Sequence, residues 1–151
     1  MPADIEAVAR GALYDLLVPA FAAAPYAAAP ITVTYGLPHT QGAEPQEIVC
    51  MLGIEAPSEE AASLGNLQRD VVFDVIVAVK VYDPAGTGRS VDGRAFTLVG
   101  TVRSTVKANM SLNGTVIWAQ ATAARTDGPL PVQEGWIVIV EVPIRVKARY
   151  S

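Results

Sequence analysis

Histidine and cysteine are almost missing from this chain of 151 residues, which has one of each, His39 and Cys50. A single histidine between Pro38 and Thr40, with no second histidine and no Cys/Asp cluster at ligand spacing, argues against a metal centre and reads as a solvated loop residue. A single cysteine excludes an internal disulfide and agrees with assembly in a reducing cytoplasm. Cys50 stands among Val49, Met51 and Leu52 and reads as a small buried hydrophobe, since a nucleophile needs an adjacent base and an electropositive setting. Charge is scarce as well, at 17% of residues with a net of −4, a balance that excludes a nucleic-acid binder of the basic-patch kind. No run reaches the roughly 18 uncharged apolar residues that span a bilayer, so no membrane partner is expected. The Ala-rich N-terminus lacks a basic first region and carries Asp4, Glu6, Arg10 and Asp15, so it is not expected to be a signal peptide.

Apolar residues are plentiful. They make up 51% of the chain, and the mean hydropathy of +0.32 is high for a soluble monomer, which suggests apolar surface buried between subunits. The length fits one domain with a sizeable core. Residues 71 to 82 (VVFDVIVAVKVY) and 137 to 150 (IVIVEVPIRVKARY) read as strands: every odd position from Val71 to Val81 is apolar, and so is every even position from Val138 to Tyr150. Runs of twelve and fourteen residues span roughly 40 to 46 Å at about 3.3 Å each, more than the diameter near 38 Å of a compact globule of this length. At least one of them is expected to bend or protrude, and a protruding strand needs another chain to satisfy its backbone.

The remaining elements follow from periodicity and punctuation. Ile5, Val8, Ala9, Ala12, Leu13, Leu16 and Leu17 recur at helical spacing, with Pro19 expected to end or kink that helix. Ala20 to Pro30 reads as a frayed turn and a linker, Ile31 to Tyr35 as a short strand, and Gln46 to Ile54 as another. Residues 55 to 69 (EAPSEEAASLGNLQR) read as an acidic loop. It is either flexible or an ordered contact to a neighbouring subunit, with Glu55, Glu59, Glu60, Leu64 and Leu67 as the contact candidates. Val91, Ala95, Leu98, Val99, Val102, Val106 and Met110 mark a second helix, with Ser90 as its N-cap and Asn113-Gly114 at its end. Thr115 to Ala123 reads as a strand, joined by a Gly/Pro-rich connection, residues 126 to 135, to the last one. This order predicts a single α+β domain, a mostly antiparallel sheet with two helices packed on one face and long protruding strands.

Chemistry-bearing patterns are few. Asp70, Asp74 and Asp83 are spaced too widely along one strand for paired acid/base work and read as edge protection. Gly86 to Arg94 (GTGRSVDGR) has neither P-loop nor dinucleotide-loop spacing and reads as a turn and cap. No cofactor is expected. Arg145, Lys147 and Arg149 fall on one face of the last strand, opposite Ile144, Val146 and Ala148. They are either a solvated stripe protecting an edge, or a docking strip for an acidic partner or the lining of a passage for DNA. If they dock a partner or line such a passage, their reversal to Glu is expected to leave folding nearly unchanged.

The helix DIEAVARGALYDLL, the ITVTYGLP and EIVCMLGI strands, the long strand ending in VKVYDP, the helix RAFTLVGTVRSTVKANM and the basic last strand together resemble tail terminator proteins of long, non-contractile-tailed bacteriophages, over most of the chain and in element order. The resemblance implies a non-enzymatic virion protein, assembled in the host cytoplasm. It would form a hexameric ring on the head-proximal end of the tail tube, contacting the tail tube protein and the head-tail connector protein, with genomic DNA passing through its lumen without sequence-specific binding. Another neck or tail completion protein, or a small ligand-binding or enzymatic α+β domain, are the alternatives.

Overall fold

The computed structural model describes residues 5–36, 45–61 and 69–150. Two helices, α1 (Ile5–Ala20) and α2 (Gly88–Ala108), pack against one mixed sheet. The strands are β1 (Thr32–Tyr35), β2 (Gln46–Ala61), β3 (Arg69–Asp83), β4 (Trp118–Ala121), β5 (Arg125–Thr126), β6 (Leu130–Pro131) and β7 (Trp136–Tyr150). They are arranged β1-β2-β3-β7-β4, with β5 and β6 also on β7. Among the described residues only the β1–β2 pairing is parallel. The α+β class, the single domain, the mostly antiparallel sheet and the placement of both helices on one face are as the sequence predicts.

The strict alternation of β3 and β7 explains that placement. Their register pairs Val71 with Ala148, Phe73 with Val146, Val75 with Ile144 and so on to Val81 with Val138. All of these are buried, forming a floor onto which α1 lays Ala9, Leu13 and Leu17 and α2 lays Val91, Ala95, Leu98, Val99, Val102 and Val106. Each fully buried Val or Leu contributes about 1.5–3 kcal/mol, which outweighs the weak helix propensity of the Val-, Thr- and Gly-rich α2. Val8 of the expected apolar set is exposed instead. Pro19 falls in the last turn of α1, which ends one residue later.

Several boundaries move. The N-cap of α2 is Thr87 rather than Ser90. The Thr87 hydroxyl accepts from the Ser90 amide and the Ser90 hydroxyl accepts from the Thr87 amide, a reciprocal capping box in which Ser90 fills the place usually held by Glu. The helix stops at Ala108, with Asn109 as C-cap, five residues before Gly114, so Met110 lies beyond it and is exposed. The strand expected over 115–123 is only β4, and the connection after it contributes β5 and β6, short because Gly128 turns at φ +85° and Pro131 has no N–H to give a ladder. Gly135 then reverses the chain at φ +89°, packed so tightly on Asp83 and Pro84 that no Cβ fits. The stretch from Ala20 to Pro30 is more than a linker. Phe21 and Tyr26 are buried, their rings 5.3 Å apart, and the Tyr26 hydroxyl lies 2.6 Å from that of Thr101 on α2.

The largest correction concerns 55–69. Residues 55 to 61 are not a loop, because β2 runs on to Ala61 and pairs with β3 as far as Arg69. Two register shifts, between Met51 and Ile54 and between Glu55 and Ser58, carry the ladder past Gly53 and Pro57. Each is a bulge in which two residues of β2 face one of β3, so the apolar period breaks in the sequence while the backbone pairing continues. Leu64 and Leu67 lie outside the described residues, as does His39.

Candidate docking face of the sheet

The face of the sheet turned away from the helices carries the basic residues of β7. Because β3 and β7 are antiparallel neighbours, Arg145 sits opposite Asp74 and Arg149 opposite Asp70. Arg145 donates to Asp74 at 3.0 Å and Arg149 to Asp70 at 2.8 Å, each through two nitrogens. Lys147 Nζ lies 3.6 Å from the second oxygen of Asp70. The three cations therefore form two cross-strand clusters, Arg145 with Asp74, and Lys147 and Arg149 with Asp70, and up to Lys147 they stand on an inner strand, with β3 on one side of β7 and β4 on the other. The aspartates are likewise network members and not isolated edge charges.

Burial within each pair is unequal. The Asp70 and Asp74 side chains are 7% and 13% exposed, against 48% for Arg149 and 52% for Arg145, so these pairs turn their guanidiniums to solvent although each pair is itself neutral. The hydrogen bond from Arg149, with the charge of Lys147 added, holds the Asp70 carboxyl below the usual carboxylate range against the opposing effect of its burial. The hydrogen bond that Arg145 gives to Asp74 likewise raises the Arg145 pKa above its ordinary value.

Toward the middle of the same face a second network crosses three strands. Arg125 on β5 donates to Glu141 on β7 at 2.9 Å and to Glu55 on β2 at 3.1 Å. Glu141 is opposite Ala78 and Glu55 opposite Asp74, so the guanidinium bridges across β3 at Ile76. This accounts for the burial of Ile76 and Ala78 on a face that no helix covers. Farther along, Leu130, Ile137 and Ile139 share that face, with Leu130 and Ile139 about half exposed.

Of the expected contact residues, Glu55 is thus engaged within the subunit, while Glu59 and Glu60 lie in β2 opposite Val71 and Asp70. Cys50 is buried, its thiol 3.6 Å from the Ala78 carbonyl and pushed above its ordinary pKa by burial. Among the described residues no cluster of His, Cys, Asp or Glu is arranged to hold a metal ion, and no helix is long and apolar enough to cross a membrane. Asp70 and Asp74 on one strand, and Arg145 and Arg149 on the other, share a spacing of four, which becomes a match only once the β3–β7 register is known. No protein-family model matches the chain, and no curated protein matches it.

Proposed function

We propose that the chain is a structural subunit of a bacteriophage tail, a tail terminator. It forms a ring on the head-proximal end of the tail tube, stops tube growth there and offers the surface to which the head-tail connector attaches. The single observation that carries this reading is the face of the sheet that neither helix covers among the described residues. Strands β2, β3 and β7, of 16, 15 and 15 residues, lie side by side with both helices on the other face, so a surface about 50 Å long by the rise of a strand is left for partners. It offers half-exposed guanidiniums at one end and the apolar Leu130 and Ile139 at the other. Such a surface acts by complementarity to flat protein partners, and its cationic end suits an acidic partner or the phosphates of DNA in a lumen.

Light scattering and negative-stain imaging of the purified protein, alone and mixed with tail tubes, test the reading. Rings, either free or seated at one tube end, are expected. A protein that stays monomeric at high concentration and leaves tube ends bare and still growing would overturn it.

A further inference from the structure

Strand β4 ends the sheet, and among the described residues no strand pairs with the side of it turned away from β7. Its residues, Trp118, Ala119, Gln120 and Ala121, include no charge and no proline, the devices by which natural proteins keep other chains from pairing with an edge, so its shortness is the only guard it has. The side chains it turns toward the helices are small. Ala119 lies beside Val146 and Ala121 beside Ile144 of β7, and a groove of about 420 Å³ opens between β4 and the C-terminal part of α2. Val106 and Met110 line it together with the two alanines, and Met110 is 53% exposed.

Two cations, Arg103 and Lys107, flank the same groove. Both are exposed, and among the described residues neither pairs with a carboxylate, although Arg94 on the same helix holds Glu47. Like charges four residues apart on a helix oppose each other. The helix dipole favours Lys107 in the last turn, but its effect fades before Arg103, a turn earlier. Four residues of helix advance about 6 Å, close to the roughly 6.6 Å between alternate side chains of an extended chain.

From the open edge, the groove and the unpaired cations together, we infer that β4 takes up an extended acidic segment of a partner protein as a further strand of the sheet. Carboxylates at two alternate positions of that segment meet Arg103 and Lys107, and an apolar side chain at the next alternate position covers Met110. Backbone pairing along the edge supplies affinity, and the side chains that enter the groove supply selectivity. The two cations reject a basic segment by like-charge repulsion. A nucleic acid would satisfy the cations but would bring neither a row of N–H and C=O groups for the edge nor an alkyl side chain for the groove. The inference does not depend on the tail terminator reading, which rests on the other face of the sheet.

The test titrates short fluorescent peptides into the full chain and reads anisotropy. Two peptides of Thr, with Glu-Thr-Glu-Thr-Leu or its reverse at the centre, cover both strand directions. At least one is expected to bind saturably, and to bind roughly tenfold or more weaker when Gln replaces both Glu or when N-methyl groups block its pairing edge. Arg103→Glu with Lys107→Glu is expected to reverse the choice, so that the Glu peptide is lost and its Lys counterpart binds. Melting curves check that this variant is folded, and Arg103→Gln with Lys107→Gln, a milder change, is expected to abolish the preference for Glu over Gln. No binding of either peptide, equal binding of the Glu and Gln forms, or binding indifferent to N-methylation or to the cation substitutions would overturn the inference. Binding of duplex DNA, or self-association in light scattering, that the same substitutions abolish would put a different occupant in the groove and overturn it as well.

Discussion

At the scale of single residues, the clearest case of a tuned group is Asp70. Its carboxyl is almost enclosed yet remains ionised because Arg149 and Lys147 surround it. Its pKa in the folded chain is lowered, so the unfolded chain takes up a proton first, at about pH 3.9. The stability it contributes is therefore fully present above that value and is lost as pH falls through the lower, folded one. Asp70→Asn is expected to lower the melting temperature near neutral pH, and the gap to the wild type should shrink steadily below about pH 4. Melts from pH 7 to pH 2 check this, and a gap that stays constant over that range would rule out the carboxylate as its cause. Neither this network nor that of Arg125 was legible as such in the sequence. Charges on two distant strands become neighbours only once the register is known, and a one-residue slip would have put them on opposite faces.

The elements themselves were more readable, for reasons that differ between them. Strands β3 and β7 and the buried stripe of α2 show plainly because each presses one face on the core, and a period of 2.0 or 3.6 then survives in the residue types. The far half of β2 does not show. Gly53, Pro57 and three glutamates erase the period, and the strand is held by its backbone ladder to β3, which has no side-chain signature. Helix α2 depends on its first turn, where the Thr87–Ser90 box satisfies amides that would otherwise lack partners. Thr87→Ala is expected to cost about 1 kcal/mol, a fall of roughly 2–4 °C in melting temperature for a domain of this size. Thr87→Ser should keep most of it. Equal melting of the Ala variant and the wild type would mean that water serves those amides as well.

At the scale of the whole molecule, the pairing of the basic strip changes what its reversal does. An isolated solvated stripe would tolerate three glutamates, but here they would stand beside Asp70 and Asp74 of the neighbouring β3 and gather five carboxylates on one end of the sheet. The variant with Arg145, Lys147 and Arg149 all changed to Glu is expected to melt on the order of 5 °C or more lower than the wild type, and partly to recover at low pH as the carboxylates protonate. Unchanged melting would mean that the network adds nothing to stability. A subtler probe of docking is the replacement of Arg145 and Arg149 by Lys, which keeps the charge and loses the paired hydrogen bonds. The long β3–β7 ladder also has a mechanical meaning. The two strands run antiparallel and in register from Arg69–Tyr150 to Asp83–Trp136. A pull applied at the Tyr150 end of one and the Asp83 end of the other therefore loads every rung of the ladder at once in shear, whereas a pull at Arg69 and Tyr150 opens it one rung at a time like a zip. The subunit is stiff along one direction and yielding along another, and the direction in which neighbours tug on it decides which of the two it is.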